Sequence, residues 1–167
     1  MSTPLAERIC MQRRHLLAFA AAGLLPPLAA RAHHGWSGFD QDRPIYLEGK
    51  AESVVWKNPH AEFMLRLDPG LALPADLAKR TVPAQSASVD GARILSAARL
   101  PTRKDPVWEI ELAPLTRMET WKVAEIKAGQ PVAVIGYTFP AEKGEAVLRV
   151  EYLFVDGKAY GLRSSPA

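Results

Sequence analysis

The chain has one cysteine, Cys10, and it lies ahead of the most apolar stretch. Everything downstream is without a thiol, which excludes a disulfide, a cysteine-ligated zinc and a cysteine nucleophile there. Cys10 also cannot anchor a lipid, because it precedes the apolar core instead of closing it. Long hydrophobic runs are missing as well. The stretch Leu16 to Leu28 is interrupted by Pro26-Pro27 and falls well short of the roughly 20 residues that a membrane-crossing helix needs. There is no glycine-rich phosphate loop, no dinucleotide fingerprint and no internal repeat. Histidine is scarce: four in 167 residues, at positions 15, 33, 34 and 60.

The N-terminal residues have the three parts of an export signal. Arg13-Arg14 supply the positive start, Leu16 to Leu28 the apolar core, and Ala30-Arg31-Ala32 the small residues, Ala30 and Ala32, that signal peptidase reads at −3 and −1. Residues 1–32 are therefore expected to be a removable signal peptide, and residues 33–167 a single periplasmic or secreted domain. Arg13-Arg14 also suits a twin-arginine signal, so both that route and general secretion stay open. The only partner this segment implies is the export machinery, met transiently, with no stable membrane anchor after cleavage. Other partners are unknown.

Removing the signal takes away four arginines and one glutamate, leaving seventeen basic and seventeen acidic residues. The positive balance of the whole chain thus belongs to the discarded segment. A basic surface for nucleic acid loses its support.

From Ile45 the apolar period is two, the mark of half-buried strands. Ile45 to Val55 places Leu47, Ala51, Ser53 and Val55 on one face, before Trp56-Lys57-Asn58-Pro59 breaks the run. A second strand carries Ala61, Phe63, Leu65 and Leu67, and a third Trp108, Ile110 and Leu112, with Glu109 and Glu111 on its solvated side. Thr116 to Lys127 reads as a helix, Val132 to Phe139 and Ala146 to Val155 as strands four and five, and Asp156-Gly157 as a hairpin turn into a short last strand, Lys158 to Leu162. Three strands, a helix and two more strands is the order of an OB-like barrel. The expected fold is mainly β: five to six antiparallel strands with one short helix between strands 3 and 4. Residues 68–106 hold five prolines, Pro69, Pro74, Pro83, Pro101 and Pro106, and read as a long loop insertion with a short helix near Ala92 to Leu100. Such a loop is either functional or a plain surface insertion.

Cleavage after Ala32 would give His33 a free α-amine beside its own imidazole, with His34 next to it. Amine plus imidazole nitrogens suit copper(II), and three neutral imidazoles suit zinc. The expected metal ligands are His33, His34 and His60, copper first and zinc second, with Asp40 as an additional oxygen donor. Cleavage after Arg31 would instead place a histidine third, also a strong copper chelate. The plainer alternative is a solvated His-His end and a His60 that caps a strand end. No catalytic constellation stands out: Ser37 has no aspartate partner by spacing, Met64 and Met118 suit core filling, and Trp36, Trp56, Trp108 and Trp121 suit packing before a stacking groove. The rival to metal binding is a module that binds a non-metal ligand or a protein through the barrel face and the 68–106 insertion.

The strings Ala32-His33-His34-Gly35-Trp36, Leu47-Glu48-Gly49-Lys50 and Val55-Trp56-Lys57-Asn58-Pro59-His60 resemble an uncharacterised family of small exported bacterial proteins, a domain of unknown function with a His-His start and a W-x-N-P-H motif. Ile126 to Val132, with Gly136 beyond, is similar to that family's entry to its fourth strand. The resemblance implies export and an OB-like barrel and brings no activity. It associates the same three histidines, His33, His34 and His60.

Overall fold

The computed structural model describes residues 35–167. Six strands run in the order β1 (Ile45–Val55), β2 (Glu62–Leu67), β3 (Val107–Glu111), β4 (Pro131–Tyr137), β5 (Val147–Val155) and β6 (Lys158–Gly161). Two short helices, α1 (Gly91–Ala97) and α2 (Leu115–Thr120), lie between them, with 3-10 turns at Trp36–Gly38, Leu77–Lys79 and Pro140–Glu142. In the sheet β3, β2, β1, β4, β5 and β6 lie side by side, and β3 also pairs with β5. That last pairing closes five strands into a barrel, and β6 is an extra strand on β5. The OB-like expectation holds. The expectation of antiparallel strands throughout does not, because β3 and β5 pair in parallel. A connection that crosses the end of the barrel through α2 and β4 brings β5 back in the direction of β3.

β1 pairs with β4 through residues 45–50 and with β2 through residues 49–55. One strand serving two neighbours must bend. Gly49 stands where the ladders overlap, and any Cβ there would run into the carbonyl of Arg66. A bulge between Glu52 and Val55, with Ser53 at φ 46°, tightens the curl. It also corrects the sequence-based face assignment. Ser53 is exposed, Val54 and Val55 are both partly buried, and it is Val54 that packs against the core.

The barrel interior is filled by Leu47, Phe63, Leu65, Trp108, Ile110, Val134, Leu148 and Val150, all essentially without exposure. At about 1.5–3 kcal/mol for each large side chain taken out of water, this closed interior stabilises the domain without disulfides. Met118 from α2 and Ile126 plug one end.

The segment 68–106 is not a free loop. It lies over the outer face of β1, β4 and β5, where Tyr46, Ile135 and Tyr152 meet Leu77, Leu95 and Ala98 in a second apolar cluster. Its backbone joins β1 as well: Tyr46 N–H donates to Arg99 O at 2.9 Å, and Arg99 N–H to Pro44 O at 3.1 Å. The expected helix is present as α1, capped by Asp90, which accepts from Arg93 N–H at 2.9 Å.

α2 is much shorter than the helix expected over 116–127. Lys122 adopts φ 56°, its N–H donates to Glu119 O and that of Val123 to Met118 O. This pair of bonds is a Schellman stop, with lysine in the place that glycine usually takes.

Candidate functional site

The closing pair of strands sets the site. In the parallel register Glu111 stands opposite Arg149. Their neighbours Ile110, Leu148 and Val150 point inward, so by alternation both charged side chains lie on the outer face. Yet they are only 8% and 6% exposed. Arg149 Nη1 donates to Glu111 Oε1 in a buried ion pair. Burial lowers the pKa of Arg149 from its ordinary value, against the opposing pull of the Glu111 carboxylate. The sequence had suggested a solvated Glu109–Glu111 face; for Glu111 the structure corrects this.

His60 joins that pair. Its Nε2 is 3.4 Å from Arg149 Nη2 and its Nδ1 is 3.5 Å from Glu111 Oε1, both longer than the usual 2.7–3.2 Å of an N–H···O bond. The W-x-N-P-H turn delivers it there. Asn58 Oδ1 accepts from Leu115 N–H at the start of α2, at 3.2 Å. Just beyond His60, Ala61 N–H donates to Ala113 O at 3.1 Å and Leu112 N–H to Ala61 O at 2.9 Å. His60 is therefore pinned at the barrel rim, with its side chain 17% exposed.

Trp36 covers the same face. The Arg149 guanidinium lies 5.3 Å from the centre of its ring and that of Arg163 4.0 Å, while Tyr137 meets it edge-on at 6.3 Å. Arg163 is held by Glu151 Oε2 at 2.7 Å and Gln41 Oε1 at 2.9 Å. Glu151 is fully buried and also accepts from Gln85 Nε2 at 2.9 Å. The face thus has two guanidinium–carboxylate pairs beneath one indole ring.

Of the expected ligands that the structure describes, His60 and Asp40, only His60 is brought into this cluster. His33 and His34, the cleavage residues Ala30 and Ala32, and the export motif Arg13 and Arg14 lie outside the described residues. Asp40 does local work: its N–H donates to Thr138 O at 2.9 Å and its Oδ1 accepts from Asp42 N–H at 3.3 Å. Among the described residues no group of three His, Cys, Asp or Glu side chains is placed to hold a metal. Trp108 is buried in the core and Trp121 packs against it, donating from Nε1 to Ser164 O at 2.8 Å. Both serve packing, as expected.

Sequence reasoning missed Arg149, Arg163 and Glu151, and took Glu111 for one of two solvated carboxylates on a strand face. A signal existed: Arg149 and Glu151 interrupt the otherwise apolar run Val147 to Val155, and charges within a strand that is otherwise buried need partners.

A concavity of about 570 Å³ lies elsewhere, where Arg80 and Thr81 of the insertion meet Tyr46, Glu48, Phe154 and Lys158 of the barrel. There the Tyr46 hydroxyl donates to Glu48 Oε2 at 2.6 Å, and burial together with that carboxylate raises the tyrosine pKa well above its ordinary value.

Residues 24–70 match a family of unknown function, DUF6152. The DUF6152 match spans the His33-His34 pair, β1, the W-x-N-P-H turn and β2, so it covers the main part of the resemblance read from the sequence. The similarity noted over 126–136 lies outside the matched residues. No curated protein and no solved structure matches the chain. The described part is a small β-barrel domain, and DUF6152 brings no activity with it.

Proposed function

We propose that the exported, processed chain binds a divalent metal, copper first and zinc second, through the amine and imidazole of His33, the imidazole of His34 and His60. One observation carries this reading: Trp36 and His60 both contact Arg149. Two residues of extended chain span at most about 7 Å and three about 11 Å, so the backbone of His34 and His33 is tethered within that reach of Trp36. Covalent reach alone would let a chain that begins at His33 meet the imidazole at the rim, and that reach is what supports the reading.

The chemistry of His60 suits this role. A carboxylate beside Nδ1 favours the tautomer that leaves Nε2 as the donor atom, the usual support for a metal-bound histidine. The Nε2–Arg149 contact, at 3.4 Å, is longer than an ordinary hydrogen bond. Arg149 would repel a dication if alone, but Glu111 balances its charge. A terminal amine with two or three imidazoles is the nitrogen-rich set copper(II) prefers. Asp40 is engaged in its own turn and drops to an accessory role.

The test is copper(II) titration of the exported protein, after N-terminal sequencing has fixed its first residue. His33→Ala and His60→Ala are each expected to weaken uptake. Equal uptake by wild type and both variants would overturn the proposal.

A second reading is favoured by the groove between Arg80 and Lys158. Its mixed charges and the Phe154 ring suit a small polar ligand rather than a metal. If this groove is the working site, Lys158→Ala and Arg80→Ala abolish ligand capture while His60→Ala leaves it intact.

A further inference from the structure

We propose that the groove between the insertion and the barrel seats a protonated amine, in a slot between the Glu48 carboxylate and the Phe154 ring. This rests on the second reading above and narrows its ligand to a small molecule that carries an ammonium group.

The strand register shapes the slot. Glu48 on β1 stands opposite Ala133 on β4, Ala133 opposite Phe154 on β5, and Phe154 opposite Ala159 on β6. These four form one row across the barrel's outer face. Two residues along, Tyr46, Ile135 and Tyr152 form the next row, and the insertion covers that one with Leu77, Leu95 and Ala98. It leaves the first row open, and all four of its residues line the groove. Neighbouring strands lie about 4.8 Å apart, so Glu48 and Phe154 rise roughly 10 Å from one another. Only the methyl group of Ala133 stands between them. Once the thickness of the two side chains is taken off, the gap admits an ammonium group or a methylene chain and little more.

Both walls favour a cation. Glu48 is held by the buried Tyr46, whose hydroxyl donates to Oε2 at 2.6 Å. Burial and that carboxylate raise the tyrosine pKa, so the hydroxyl stays a donor and fixes the direction of the carboxylate. Among the described residues Oε1 accepts no hydrogen bond. Opposite it, the face of an aromatic ring attracts cations, and the Phe154 ring already draws one: the Arg80 guanidinium lies 5.9 Å from its centre. Asp76 holds Arg80 through both oxygens, at 3.0 and 3.1 Å, which offsets that charge and lessens its repulsion of a second cation beside Glu48. An anion in the slot would face the Glu48 carboxylate and is disfavoured. Arg80 and Lys158 also line the groove, where they can take an acceptor at the far end of the same ligand. A stretch of sheet that is merely uncovered would show no such preference between charges.

The experiment is titration of the isotope-labelled exported protein with ε-aminocaproate, hexylammonium and hexanoate, followed by backbone NMR shifts, on wild type, E48Q and A133V. Both amines are expected to shift the amides of Ala133, Phe154 and Ala159, with hexanoate bound about fivefold more weakly or worse. E48Q keeps an acceptor for the Tyr46 hydroxyl but removes the charge, and should weaken both amines by about fivefold while leaving hexanoate no weaker. A133V narrows the slot without altering either wall and should weaken the amines by about tenfold. If A133V fails to fold, E48Q decides. Unchanged amine affinity in E48Q, or in a folded A133V, would overturn the slot. Hexanoate that binds as tightly as the amines at the same amides would also overturn it. In each of these cases the groove reading stands. No shift at those amides with any of the probes would overturn both.

Discussion

Glu111 and Arg149 show what a single side chain contributes here. Each is an ordinary surface residue by type, and each is buried because the strand that carries it closes the barrel. Removing one partner leaves the other charge buried and uncompensated, which costs about 3–5 kcal/mol in comparable pairs. Arg149→Met is therefore expected to lower the urea midpoint strongly, and the Glu111→Leu/Arg149→Met double variant to recover most of that loss. A mild effect of Arg149→Met alone would mean that the pair is not the closed, dry contact described. Glu142 is the second case. Its carboxylate accepts from Thr102 and Arg103 N–H groups at 2.9–3.0 Å and pairs with Arg43 at 2.7 Å. Burial pushes its pKa up, but the backbone donors and Arg43 prevail, so it lies below the ordinary 4.5. A carboxyl whose folded pKa is depressed contributes stability above its unfolded value and loses it as pH falls through the folded one. Wild type should accordingly lose more stability than Glu142→Gln when the pH drops below 4.5, as measured by thermal melting across that range.

At the level of elements, periodicity located every strand, and β1 was bounded at Ile45–Val55 as observed. It failed where a backbone irregularity has no compositional mark. The bulge at Ser53 reverses which residues face the core, and serine gives no warning of it. The end of α2 was missed for a related reason. Lys122 takes the left-handed conformation that glycine normally signals, so the apolar spacing beyond it suggested more helix than there is. That strain is testable. Lys122→Gly should stabilise the domain by up to about 1 kcal/mol, because glycine carries no left-handed penalty. A drop in melting temperature would show that the lysine side chain does more there than occupy the stop.

For the molecule as a whole, the insertion matters most. Its prolines made it look like a loop, but its apolar residues cover Tyr46, Ile135 and Tyr152 on the barrel's outer face. Deleting residues 68–106 is therefore expected to expose that face, giving a less stable and aggregation-prone barrel. A deletion variant that melts like wild type and shows no aggregate in size-exclusion chromatography would contradict this. The same dependence limits any test that removes the insertion to find a binding role, because loss of binding would follow from loss of the fold.

Residue order by itself determined the strand set, the OB-like order of elements and the neighbourhood of the W-x-N-P-H turn, since alternation, turn chemistry and proline act over a few neighbouring residues. Only the tertiary structure decided that β3 and β5 close in parallel, that Glu111 meets Arg149, and that Trp36 comes to rest against the guanidinium that also touches His60. Those partners are 38, 113 and 89 positions apart in the chain. No local pattern specifies contacts at such separations; closure of the barrel creates them.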